Sequence, residues 1–469
     1  MKNILLFLAF FALVNFGYSQ TTFEKTYDNG SLDYGNSVIS LADGYIMCGE
    51  TLDDVNGDFD VFVTKVDLNG DVVWTNIYTS LGVGDDYATY INETSDGNFV
   101  ITGNTTDASG NQDVFILKIQ NDGTELWNQT YDGGNTDEDG ANYITEGESN
   151  TLLVCGYSYD GNYSDMWVFQ TDANGNFQWE NFYGLNGDDE ATCVNETDDG
   201  GLAIVGQSYD DANGDYDGVL IKTDANGDEV WTYYTTGAGD EIFNDFIIDN
   251  DGDFLIVGAE EDVQNGDYDL LLENVSSDGN TVNYSYTFDY LAGNDEAYRV
   301  YSDGTDFFIA GYVEDILNDD LDAYLAQIDV SNGDIIGEVA YGDIYDDEFK
   351  DFDFTDDNGF ICVGYQTINA NYETNVYLVK TDENGNVANT NELIRNTDIS
   401  VYPNPSSDVI NISSIEGVDS YKIITVDGKT IQENELTSNQ INIENLQAGV
   451  YLLELKIDKQ VIVKKFIKK

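Results

Sequence analysis

The sequence has no histidine in 469 residues. That excludes nucleophile activation through Ser-His-Asp or Cys-His pairs and removes the imidazole used by most zinc sites. Cations are scarce: 17 Lys and Arg stand against 90 Asp and Glu, a formal net charge of −73. Phosphate recognition needs clustered Lys and Arg, so neither nucleic acid nor anionic lipid is expected as a partner. Arg299 and Arg395 are the only arginines, and Pro403 and Pro405 the only prolines. Cysteine is scarce, with Cys48, Cys155, Cys193 and Cys362 the only four. Cys48 and Cys155 each precede a repeating glycine by one residue and Cys362 precedes one by two. In such strands a small apolar residue suits the packing, so the reading is buried free thiols rather than disulfides.

Long apolar runs are also missing, with one exception. Ile4 to Phe16 follows Lys2 and leads into Gly17-Tyr18-Ser19-Gln20. A basic start, a short apolar core and small residues before a polar segment make residues 1–20 a secretory signal peptide. The run is too short to span a bilayer comfortably, and no transmembrane segment is expected in the mature protein.

What the sequence does have is a repeat. DGYIMCG (43–49), DGNFVITG (96–103), NTLLVCG (150–156), DGGLAIVG (199–206), DGDFLIVG (251–258), DGTDFFIAG (303–311) and DNGFICVG (357–364) are seven copies of one element. Their last glycines are spaced by 54, 53, 50, 52, 53 and 53 residues. Each unit reads as four short strands rich in apolar, aromatic and β-branched residues, here called A to D. Strand B is the repeated element, strand C resembles VFILKIQ (114–120), and strand D carries Trp74, Trp127, Trp179 or Trp231 in the first four units. In units five to seven Tyr284, Tyr286 and Tyr341 are the expected substitutes. DLNG (67–70), DANG (172–175 and 224–227) and DENG (382–385) supply the C–D turns.

A four-stranded sheet of this size cannot bury both faces alone, but sheets packed around an axis bury each other. FEKTY (23–27) looks like a strand D placed before the first strand A, while the seventh unit has only a weak one, NVANTNEL (386–393). An N-terminal strand completing the last sheet would close the ring and hide its edges. The expectation is an all-β chain: a seven-bladed β-propeller over 21–395, then a small Ig-like β-sandwich over 396–469.

Charge divides along the same line. Ten acidic and eight basic residues lie at 396–469, and Lys2 precedes residue 21, which leaves 80 acidic and 8 basic residues in 21–395. Chain direction places the D-to-A and B-to-C connections on one face. The D-to-A connections carry Asp33, Asp86, Glu138, Asp189, Asp240, Asp295 and Asp347, expected either to ring the channel mouth as a binding surface or to cap their own turns. A second column precedes strand C: Asp60, Asp113, Asp165, Asp217, Asp269 and Asp322, with Asn375 in the seventh unit. Two of these loops share a fuller pattern. Asp54, Asn56, Asp58 and Asp60 correspond to Asp211, Asn213, Asp215 and Asp217. Alternate oxygen side chains around a Gly turn suit calcium, although no bidentate Glu follows at the EF-hand distance. Plain Asx-turns are the alternative.

After Arg395 come VYPNP (401–405), the turn VDGK (426–429), LQAGVYLLEL (446–455) and a basic end, Lys464 to Lys469. In order and spacing this segment resembles the type A sorting domain of the Bacteroidota type IX secretion system. The resemblance implies the type IX secretion machinery as a partner, and release or attachment at the cell surface. The units ahead of it are similar to exported repeat proteins of that phylum, which implies architecture more than activity.

Three functions fit. One is a surface binding or adhesion module for a glycan, a cell-surface protein or a divalent cation, since loops on a rigid scaffold suit binding. Another is a structural scaffold of an extracellular layer. The third is a polysaccharide-active enzyme, because paired carboxylates hydrolyse glycosides without histidine. Acids repeated in every unit single out no catalytic pair, so a non-enzymatic role is expected. Sialidase-like propellers use an arginine cluster that two arginines cannot supply.

Overall fold

In the computed structural model, most of residues 21–387 and most of 401–469 are described. Residues 1–20 and 388–400, and loop stretches including 54–56, 211–213 and 426–428, lie outside the described residues. The signal peptide, Asp54, Asn56, Asp211, Asn213, Arg395 and most of the weak 386–393 strand fall there.

The repeat region folds into seven four-stranded antiparallel sheets. Six are continuous in sequence and run A-B-C-D, as in sheet one: Asp33–Leu41, Gly44–Leu52, Phe59–Asp67 and Val72–Tyr78. The seventh takes Asp347–Phe354, Phe360–Thr367 and Thr374–Lys380 from its own unit. Its outermost strand is Phe23–Tyr27, paired antiparallel with Thr374–Lys380 from Phe23↔Lys380 to Tyr27↔Val376. The first sheet also packs on the seventh. Val38, Met47 and Phe62 share one buried cluster with Ile361, Val363, Val376 and Leu378.

Strands B and C are buried almost end to end, because both of their faces meet a neighbouring sheet. Strand D alternates and is largely open, as in the eeiiieB burial pattern of Glu125–Tyr131. This gradient explains why strands B and C read as continuous apolar runs rather than alternating ones.

Three contacts recur from unit to unit, two between neighbouring sheets and one inside a sheet. The final Tyr of strand D reaches a turn of the next sheet: Tyr27 to the Gly70 carbonyl (2.8 Å), Tyr78 to Gly123 (2.9 Å), Tyr131 to Gly175 (2.7 Å) and Tyr183 to Gly227 (2.8 Å). Tyr341 donates likewise to Gly385. The turn glycine has positive φ, 79° at Gly123, and a Cβ there would lie 3.0 Å from the Trp74 ring. Finally, a strand-C lysine is buried against an A–B turn aspartate: Lys65–Asp43, Lys118–Asp96, Lys222–Asp199 and Lys380–Asp357, at 2.8 to 2.9 Å.

The aromatic substitutions differ in part from expectation. Trp74 pairs with Lys65 and Trp231 with Lys222. By the same register Tyr284 fills the position in sheet five, Gly337 in sheet six and Phe23 in sheet seven. Tyr341 is the hydroxyl latch, not a tryptophan replacement.

Residues 401–469 form a three-stranded and a four-stranded sheet around one core that includes Ile410, Ile412, Ile423, Leu453 and Phe466. The VYPNP segment is fastened to the last strand: Ile467 N donates to Asn404 Oδ1 (2.8 Å) and Ser406 N to the Ile467 carbonyl (2.8 Å).

Candidate functional site

The repeating glycine of strand B creates the site. A Cβ on Gly49, Gly156 or Gly206 would stand 1.9 Å from a strand-A carbonyl oxygen, that of Tyr34, Gly140 or Glu190. That carbonyl comes so close because strand A bulges immediately afterwards. The register slips by one residue between Gly35 and Ser37, Ala88 and Tyr90, Ala141 and Tyr143, Ala191 and Cys193, Phe243 and Asp245, Ala297 and Arg299, and Phe349 and Asp351. A β-bulge leaves one residue unpaired and re-aims its side chain.

The seven bulge residues, Asn36, Thr89, Asn142, Thr192, Asn244, Tyr298 and Lys350, line one cavity of about 270 Å³ together with Arg299. Five of them bridge to the next sheet. Asn36 donates to the Ala88 carbonyl (2.8 Å), Thr89 to Ala141 (2.8 Å), Asn142 to Ala191 (3.0 Å), Thr192 to Phe243 (2.7 Å) and Asn244 to Ala297 (3.0 Å). Behind the three asparagines stand carboxylates that accept from the same amides: Glu50 (2.6 Å), Glu190 (2.8 Å) and Glu296 (2.8 Å).

Sheets six and seven break the pattern. Tyr298 donates to Glu348 at 3.3 Å, and Lys350 donates to the same carboxylate oxygen at 2.5 Å. The Lys350 ammonium lies 4.0 Å from the centre of the Tyr298 ring and 5.8 Å from that of Tyr365. Tyr34 meets Tyr365 edge-on at 5.1 Å, and Tyr312 lies 5.8 Å from Tyr298. Burial pushes the Glu50 carboxyl up to about 8 despite the opposing pull of Asn36 and Lys350, so it is mostly protonated at neutral pH. Burial raises Glu296 as well.

One residue further along strand A the axis is filled. Arg299 lies 5.0 Å from the Tyr90 ring centre and 5.9 Å from that of Tyr143, with Asp351 3.7 Å from its Nε. The hydroxyls of Tyr90 in sheet two and Tyr301 in sheet six meet at 3.0 Å. Asp351 also accepts from Ser37 Oγ (2.6 Å), and Asp245 from the Val300 amide (3.0 Å). Burial pulls the Arg299 pKa down, but Asp245 and Asp351 outweigh it and the guanidinium stays charged. The cavity is therefore a cup with a floor. Arg299 and Lys350 are the cations of this region; Lys25, Lys65, Lys118, Lys222 and Lys380 are held by aspartates elsewhere.

The acidic column takes up a different task. Asp33, Asp86, Asp189, Asp295 and Asp347 each open a strand A and are buried. Asp33 accepts from the Asn29 and Gly30 amides (2.8 and 3.1 Å), Asp295 from Tyr290 N and Glu314 N, and Asp86 from Thr105 Oγ1 (2.6 Å). In units three and five the buried acids are Asp139 and Glu241, which corrects the choice of Glu138 and Asp240 by one residue. Cross-strand register decides this, pairing Asp139 with Ser158 and Glu241 with Glu260. The residue before strand A staples the preceding sheet instead. Asp85 accepts from Phe59 N (2.9 Å), Asp188 from Ser164 N (3.0 Å) and Asp240 from Tyr216 N (2.9 Å). The column thus caps and staples connections rather than lining the cup.

The column before strand C meets the first one at two sheet junctions. Asp113 groups with Asp132 and Asp139, and Asp269 with Asp289 and Asp295. Burial, then neighbouring aspartates, lift Asp113 and Asp269 to about 6. Asp58 and Asp60 group with Asp53. All four cysteines are buried and free.

Sequence reasoning missed the cup residues. Their signal was position: each lies thirteen or fourteen residues before the repeating glycine, where the residue type varies between Asn, Thr, Tyr and Lys.

Residues 400–469 match the family of secretion system C-terminal sorting domains. No curated protein matches the chain in sequence. Among solved structures, Sqt1 from Chaetomium thermophilum is 13% identical, with 95% of this chain and 98% of that one covered and a TM-score of 0.46. The β-propeller domain of the Trilobed protease from Pyrococcus furiosus is 11% identical over 74% of this chain and 93% of its own, with a TM-score of 0.41. The extracellular domain of a hybrid two component system from B. thetaiotaomicron is 12% identical over 93% of this chain and 74% of its own, with a TM-score of 0.31. No helix among the described residues is long and apolar enough to cross a membrane. The C-terminal segment is a sorting domain of the type IX secretion system, carried behind a β-propeller array of four-stranded sheets.

Proposed function

We propose that this chain is an exported binding module: a closed seven-bladed propeller over 21–395 that takes a glycan in its axial cup. The sorting domain implies export to the cell surface or the medium, with residues 1–20 as the signal for the first membrane. The observation that carries the ligand reading is the break in the ring of bulge residues. Five positions offer short amide and hydroxyl groups, while two adjacent ones offer Tyr298 and Lys350 beside Tyr34, Tyr312 and Tyr365. Sugars are held by such a mixture of aromatic faces and fixed polar groups. Glu50, Glu190, Glu296 and Glu348 are each engaged by an amide, a tyrosine or Lys350, which favours holding over hydrolysis. A glycan array probed with the full chain and with Tyr298→Ala tests this. Binding to a defined glycan set that Tyr298→Ala abolishes is expected. Equal binding by both proteins, or none by either, refutes the cup as a glycan site.

A further inference from the structure

We infer that the sugar held in the axial cup carries an anionic group, a carboxylate or a sulfate ester, which Arg299 meets from the floor and Lys350 from the wall. This rests on the cup being a glycan site, and it names the class of glycan. Arg299 lines the cup, and its side chain is only 11% exposed. Among the described residues its Nε is buried without a hydrogen-bond partner. Asp351 stands 3.7 Å from that atom, beyond hydrogen-bonding reach. Tyr90 and Tyr143 meet the cation with their ring faces.

The neighbouring aspartates are engaged elsewhere. Asp351 Oδ2 accepts from Ser37 Oγ (2.6 Å) and Val38 N (3.1 Å), and its Oδ1 accepts from Phe352 N (2.9 Å). Asp245 Oδ2 accepts from Val300 N (3.0 Å). Arg299 therefore has their charge without their hydrogen bonds. A guanidinium carries five N–H groups in a rigid fork that matches the paired oxygens of an oxyanion. Donors withdrawn from water and left unmet are costly, so the acceptor has to come from what fills the cup.

The rest of the wall suits hydroxyl groups. The amide nitrogens of Asn36, Asn142 and Asn244 and the hydroxyl protons of Thr89 and Thr192 are taken by the next sheet, which leaves oxygen acceptors at these five positions. Such acceptors take the hydroxyl protons of a sugar. Sheets six and seven offer the opposite sign. Lys350 has three N–H groups and gives one to Glu348, whose other oxygen accepts from Tyr365 (2.5 Å). Burial raises Glu50 and Glu296 toward their neutral forms, so these two oppose an anion less than ionised acids do. On a chain of net charge −73, two cations lining one cavity mark the place where an anion finds donors.

The test measures binding of the full chain, in moderate NaCl, to matched pairs of glycans. Galacturonate, glucuronate and mannuronate oligomers are set against their methyl esters, and sulfated galactans against their desulfated parents. The acidic member of at least one pair should bind about tenfold tighter or more, the scale of one charge-assisted hydrogen bond. Preference in the uronate pairs alone assigns a carboxylate, and in the sulfate pairs alone a sulfate ester. Arg299→Lys keeps a cation beside Asp245 and Asp351 but removes the fork, and Lys350→Gln removes the cation of the wall. Each should erase the preference, while Lys25→Gln, which frees the exposed Asp71, keeps it. The wild-type pairs decide the matter even if Arg299→Lys fails to fold. Equal binding within every pair, or binding of neutral glycans alone, overturns the anion and leaves the glycan site standing. No binding to any glycan overturns both.

Discussion

The sheet junctions and the axis are built from the same repeat and are treated oppositely. At the junctions one solution is reused: tyrosine latches recur at five of them and acid staples at equivalent positions. At the axis they disagree. The residue after the bulge is Ser37, Tyr90, Tyr143, Cys193, Asp245, Arg299 or Asp351, according to the sheet. A junction sees the same neighbour each time, so one solution serves for all. Around the axis all seven strands face one another, and identical residues would place like charges or equal volumes together. Divergence there allows a mixed core with a charge at its centre, and a cup above it that is not symmetric.

The largest test of this contrast is Arg299→Met. It leaves Asp245 and Asp351 buried without their cation, and breaking a buried pair this way costs about 3–5 kcal/mol. Chemical denaturation should show that loss. A change below about 1 kcal/mol would mean the axial charge is solvated rather than enclosed.

Next in size is pH. Burial raises Glu50 to about 8, Glu241 and Glu273 to about 7 and Asp351 to about 6, all above ordinary carboxyl values. The folded state therefore holds protons that the unfolded chain releases, so stability falls as pH rises from about 4.5 to 8. Asp96, Asp199 and Asp357 are shifted down instead and withdraw their support only below the usual aspartate range. The melting temperature in chelator should thus be higher at pH 5 than at pH 8; the reverse order would contradict the buried-acid account.

A single junction is worth less. Asp188→Ala removes the acceptor for Ser164 N and should cost about 1 kcal/mol in denaturation, with no change at the axis. The smallest expected effect is that of salt. Moderate NaCl should raise the melting temperature slightly by screening the excess of acid, and a fall on adding salt would argue against that repulsion.

Much of the fold was legible because it rests on period and alternation. The glycine spacing marks the units, and FEKTY in the outer place of the seventh sheet follows from its likeness to strand D. The acid column was legible as a column but not in its task. A carboxylate that caps its own turn and one that faces a channel look alike in sequence, and a shift of one residue separates Glu138 from Asp139. The cup was not legible because it depends on a bulge. The alternation of strand A gives no sign of the slipped residue; the cross-strand register reveals it, together with the close approach of the strand-A carbonyl to Gly49 or Gly206.

The contrast between junction and axis is tested most directly by measuring two pairs of variants side by side. Tyr298→Ala with Lys350→Ala alters the ring, and Asp85→Asn with Asp188→Asn alters the staples; each pair is assayed for melting temperature and glycan binding in one preparation. The account predicts that the ring pair loses binding with little change in melting, and that the staple pair melts earlier with binding intact. Binding lost from the staple pair and retained by the ring pair would contradict it.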